Sequence, residues 1–158
     1  AMVCTEYRPG TKETNMDLKP DHMSYTVNDM DVTLSFYRDM FGMTVVRTSE
    51  TKPSSDSGLA RMHIRTAVLI LGNLTLELVE YANYKGQQLD NRQTNIGSAH
   101  IGFVTDDING VYKNLIERGV KFTGPPINLS SNPTMMCYGI DPDGHRFELN
   151  QRSVIPTT

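Results

Sequence analysis

The chain has 158 residues, 38% of them hydrophobic and 21% charged, the make-up of a globular domain and not of a disordered segment. Its net charge of -3 comes from interspersed signs and leaves no basic footprint, which argues against a nucleic acid partner. The longest apolar run, Ala67 to Leu71, is far too short to span a bilayer, and no charged-then-apolar leader opens the chain, so a membrane role is not expected and the cytoplasm is.

In chain order, residues 1–19 show no apolar period and read as a flexible arm. Regular structure is expected from Asp21. Residues 22–29 (HMSYTVND) read as a strand running into a helix in which Met30, Leu34, Tyr37 and Phe41 recur at helical spacing and Gly42 marks the end. Strand-like runs follow at Thr44 to Thr48, His63 to Leu71 and Leu74 to Tyr81, with residues 53–58 (PSSDSG) as a loop. Residues 82–98 are polar and read as a linker. Residues 100–107 (HIGFVTDD) then echo 22–29, again leading into a helix, carried by Ile108, Val111 and Leu115, capped by Asp106 or Asp107 and stopped at Gly119. Three more strands are expected at Val120 to Thr123, Met135 to Ile140 and Arg146 to Gln151, before a tail over 153–158. The organisation is therefore a βαβββ module over 20–81, the linker, and a second βαβββ module over 99–152. Cys4 and Cys137 form no spaced pair, and free thiols are expected.

The repeat singles out four residues. Side chains alternate across a strand. In the first strand Met23, Tyr25 and Val27 share one face and His22 lies on the other. Leu74, Leu76 and Leu78 leave Glu77 opposite; Ile101 and Phe103 oppose His100; Phe147 and Leu149 oppose Glu148. A lone histidine or glutamate in a strand is ordinarily a surface group. Here the same pair recurs in both copies, with Glu77 following His22 by 55 residues and Glu148 following His100 by 48. If the apolar rows pack on the helices, the other two faces are expected to curve together around a polar cavity. Two neutral imidazoles and two carboxylates suit one divalent ion, with Zn, Ni, Co, Mn and Fe all acceptable.

At these residues the sequence resembles the glyoxalase, bleomycin resistance and extradiol dioxygenase superfamily, the vicinal oxygen chelate proteins. The resemblance rests on residues 21–27 (DHMSYTV), Phe36 and Tyr37, 41–43 (FGM), 76–80 (LELVE), 100–104 (HIGFV) and 141–149 (DPDGHRFEL), and covers about residues 20–151. It implies an α+β fold in which two βαβββ modules form an open, barrel-like mixed sheet around a metal. It also implies a homodimer, with the site held in one chain or completed by two. The metal of such proteins chelates neighbouring oxygens of a small-molecule substrate.

Glu148 resembles the glyoxalase I residue that is both ligand and base, with Glu77 its counterpart and His22 and His100 anchoring the ion. The resemblance thus implies a lyase or isomerase that removes a proton beside a carbonyl, the enediolate being chelated by the metal. A ring-cleaving dioxygenase is the alternative, requiring Glu77 to detach; a drug-binding resistance protein is a third. No assured glutathione-binding pair is visible. Arg47 is a candidate for a substrate carboxylate, although an arginine there is more commonly a solvated surface group. His63, which would border the cavity, and Tyr138 are secondary candidates to reach substrate, His145 is expected to be structural, and Met135 and Met136 to fill or line the cavity and not to bind metal.

Overall fold

Asp29 opens the first helix, α1 (Met30–Phe41), because its carboxylate accepts hydrogen bonds from the Asp31 and Val32 amides at 3.0 and 3.1 Å. Gly42 closes it at φ +68°, a left-handed conformation that glycine adopts without strain. The face carrying Met30, Thr33 and Tyr37 is buried. The computed structural model describes residues 17–55, 58–129 and 134–152, so most of the expected arm and the whole tail lie outside the described residues.

Around α1 the first module adds β1 (Met23–Thr26), β2 (Thr44–Thr51), β3 (Ile64–Leu71) and β4 (Leu74–Tyr81), hydrogen-bonded in the order β1-β4-β3-β2. The second contains β5 (His100–Val104), α2 (Ile108–Glu117), β6 (Lys121–Phe122), β7 (Ile127–Leu129), β8 (Thr134–Ile140) and β9 (Arg146–Arg152), in the order β5-β9-β8-β6 with β7 also on β8. In both sheets the first strand runs parallel to the last and the remaining pairs are antiparallel. The fold is α+β, two βαβββ-like modules with mixed sheets. β7 is an addition to the expected pattern, and a short 3-10 turn, Gly58–Arg61, begins at the last residue of the expected 53–58 loop.

The apolar rows bury as anticipated. Tyr25, Leu76, Leu78, Ala67 and Leu69 join Met30 and Tyr37 in one core; Phe147, Leu149, Ile108 and Leu115 form a second. The two cores meet at α1. Phe41 stacks on Phe103 with ring centroids 4.5 Å apart and sets its edge against Phe147 at 4.9 Å, while Phe36 packs on both cores. Aromatic pairs of this kind contribute about 0.5–1.5 kcal/mol each beyond area burial. α1 therefore lies between the apolar faces of the two sheets.

The turn between β8 and β9 latches the modules together. The Asp143 carboxylate accepts from the Thr33 hydroxyl at 2.6 Å and the Asn28 amide at 3.0 Å, and Asp141 accepts from the Tyr37 hydroxyl at 3.0 Å. His145 stacks flat on Tyr25 at 4.1 Å and meets the Thr26 carbonyl through Nε2 at 3.1 Å. It is structural, as its place in the turn suggested.

Candidate metal centre

Because the apolar rows face α1 and α2, the alternate residues of each sheet lie on the opposite, outer face. On the outer face of the first sheet His22 Nε2 lies 3.4 Å from Glu77 Oε2; on that of the second, His100 Nε2 lies 3.0 Å from Glu148 Oε2. The pairs are equivalent in register. Glu77 sits beside Ser24 and Glu148 beside Gly102, each two residues after the histidine, in a parallel pairing. Exposure is alike too: both imidazoles are 40% exposed, and the glutamates 21% and 14%.

The structure brings the four residues together as two pairs and not as one cluster. No group of three or more His, Cys, Asp or Glu side chains suited to a metal occurs among the described residues. Among the described residues the two polar faces do not meet around one cavity within the chain, which is one of the two arrangements that the resemblance leaves open. The physical reason is α1, whose Phe36 and Phe41 occupy the space between the sheets and leave the histidine and glutamate faces turned away from it.

Two donors bound about 2.0–2.1 Å from one ion stand roughly 3.0–3.4 Å apart, so each pair is spaced as two ligands of a single metal. Asp21 supports the first pair. Its carboxylate contacts His22 Nδ1 at 2.7 Å, which leaves Nε2 towards Glu77 and is the main reason the His22 pKa is raised, reinforced by the Glu77 charge and opposed by desolvation and by Arg47. Tyr138 supports the second. Its ring stands edge-on to His100 at 5.4 Å and it pairs with Glu148 in register across β8 and β9, while burial, ahead of the neighbouring Glu148 carboxylate, pushes its pKa up to about 12. Asp21 stands outside the four repeated ligand positions. The usable signal was an acid directly before a candidate ligand histidine.

Other candidates lie elsewhere. His63 pairs with Glu50 at 2.6 Å, and β3 alternation puts it with Arg65 and Ala67 on the helix side of the sheet, away from the His22 face. Met135 packs against the second core, as a space-filling residue would. Cys137 is a free, buried thiol whose pKa burial raises to about 11; Cys4 lies outside the described residues.

A family model described as the Glyoxalase/Bleomycin resistance protein/Dioxygenase superfamily matches residues 19–149, the span that holds all four candidate ligands and both modules up to the middle of β9. The chain belongs to this superfamily. It is 27% identical over 135 residues to a lactoylglutathione lyase of Arabidopsis thaliana, a match covering 85% of this chain and 44% of that protein. A probable lactoylglutathione lyase of Synechocystis is 28% identical over 132 residues, covering 84% of this chain and 94% of the relative. Among solved structures, glyoxalase I from Zea mays superposes with a TM-score of 0.60 at 25% identity, over 85% of this chain and 45% of that one. The superfamily member thus spans less than half of the plant relatives it matches, and nearly all of the cyanobacterial one.

Proposed function

We propose that this glyoxalase-superfamily chain is a metal-dependent lyase or isomerase acting as a homodimer, in which His22 and Glu77 of one copy and His100 and Glu148 of the other hold one divalent ion. The observation that carries the reading is the equivalence of the two pairs: same residue types, same register, donor spacings of 3.4 and 3.0 Å that both suit one ion, on two faces that α1 keeps apart. A two-fold axis that lays the first sheet of one copy against the second sheet of the other makes two such sites at once. The outer faces also carry exposed apolar side chains, Ile70 on the first and Val104 and Ile127 on the second, which a second copy would cover.

The donor set fits Zn, Ni, Co, Mn or Fe, two carboxylates balancing the ion's charge. When bound, the ion supplies Lewis-acid stabilisation of the negative charge that develops on substrate oxygens. Glu148 is the base. It takes the proton from the carbon beside the substrate carbonyl, with Tyr138 beside it in register on the same face. Glu77 faces it from the other copy, and the two imidazoles hold the frame.

The test is turnover of the hemithioacetal of methylglyoxal and glutathione by protein reconstituted with each of the five metals, alongside elemental analysis. One ion per chain and turnover without oxygen uptake are expected, with Glu148→Gln lowering turnover about 100-fold or more while circular dichroism is unchanged. Full turnover in Glu148→Gln would remove the assignment, and oxygen uptake with a catechol would favour ring cleavage.

A further inference from the structure

Charge is sorted in this molecule. The whole chain is at -3, yet the outer faces of the two sheets are basic apart from the proposed ligands. By register, the carboxylates among the described strand residues of those faces are Glu77 and Glu148 alone, while the cations are Arg47 on the first and Lys121, Arg146 and Arg152 on the second. Asp21, just ahead of β1, is engaged by His22. Once the two glutamates balance a divalent ion, the surplus on these faces is positive.

Two of the arginines are built into place. The strand pairing of β2 slips between Val45 and Arg47, a bulge without which Arg47 would share the buried side of Val45 and Leu69. The slip sets Arg47 opposite Val68, which is itself opposite Glu77, so the guanidinium lies on the metal face. Arg47 is exposed, makes no ion pair among the described residues, and its charge is felt at His22. Arg146 pairs with His100 in register and shares its face with Glu148. Its Nε donates to the Asn91 carbonyl at 2.8 Å, while Nη1 is buried with no partner among the described residues. A guanidinium nitrogen left unmet in a half-buried site is costly, and an anionic oxygen is its natural complement.

We propose that the substrate of this site is an anion beyond its metal-chelating oxygens, and that Arg47 and Arg146 hold its additional negative group, a carboxylate or a phosphate. The assignment rests on the metal-site reading, since it places both arginines around one ion.

The experiment titrates manganese-loaded protein calorimetrically with lactate, malate and 3-phosphoglycerate. All three offer a hydroxyl beside a carboxylate; malate adds a carboxylate and 3-phosphoglycerate a phosphate. One of the latter two is expected to bind about tenfold or more tighter than lactate, and which one does so identifies the group. Arg47→Gln and Arg146→Gln should each remove most of that gap and leave lactate unchanged. Arg47 has no ion pair to lose among the described residues, so Arg47→Gln carries the test if Arg146→Gln fails to fold. Equal binding of all three acids, or a gap that survives in Arg47→Gln, overturns the proposal. Metal-free protein is titrated in parallel with inorganic phosphate. Protein that takes no metal but binds phosphate through Arg47 removes the metal reading and leaves the anion site. Protein that takes metal and shows no arginine-dependent gap overturns this proposal alone.

Discussion

Asp141 is the residue whose environment has the clearest thermodynamic consequence. It is 4% exposed and, although it accepts hydrogen bonds from the Tyr37 hydroxyl and the Asp143 and His145 amides, burial outweighs them and raises its pKa above the ordinary carboxylate value. The folded state therefore holds this proton more tightly than the unfolded chain. The group's contribution to stability declines as pH rises from the ordinary carboxylate range through the raised value, and stays low above it. Asp141→Asn removes the charge while its Oδ1 still accepts from the Asp143 and His145 amides, and its Nδ2 donates to the Tyr37 hydroxyl oxygen in place of accepting from it. Its urea midpoint is expected to gain on the natural protein as pH is raised; parallel curves would show that the carboxyl is not perturbed. Gly139 makes a second residue-scale case. A Cβ there would overlap the ring of Phe147, so Gly139→Ala should destabilise by about 1–3 kcal/mol in denaturant unfolding. An unchanged midpoint would mean that the ring moves freely.

The elements that the sequence makes legible are those whose signals are local. α1 and α2 announce themselves by apolar spacing and by caps, and both start after an aspartate, Asp29 and Asp107. β4 falls on Leu74–Tyr81 because leucines alternate there. β7 and the bulge in β2 are not legible in this way. Three residues after a Pro-Pro pair carry no pattern of their own and become a strand only through pairing with β8, and a bulge is defined by its partner strand. The latch is equally remote, since Asp143 meets Asn28 and Thr33 across more than a hundred residues. Removing it tests the link between modules. Asp143→Ala deprives the buried Thr33 hydroxyl and the Asn28 amide of their acceptor and should cost about 1–3 kcal/mol by denaturant unfolding. A loss within experimental error would mean the aromatic contacts alone hold α1 between the sheets.

For the molecule as a whole, the four candidate ligands were legible from the repeat, because a duplicated histidine and glutamate on the polar sides of matching strands is a sequence-level pattern. Their arrangement was not. Whether two polar faces meet inside one chain depends on which way the modules pack, and that is decided by Phe36 and Phe41 reaching both cores. With the pairs held apart in one chain, each metal of the proposed site is shared between copies. Subunit complementation tests this directly. One variant carries His22→Gln with Glu77→Gln, the other His100→Gln with Glu148→Gln; each alone is inactive. Mixed, unfolded and refolded together, they form heterodimers in which one of the two sites has all four natural ligands, so metal binding and turnover should return to part of the natural level. A mixture as inactive as its components, with heterodimers present by mass spectrometry, would contradict a site built from two copies.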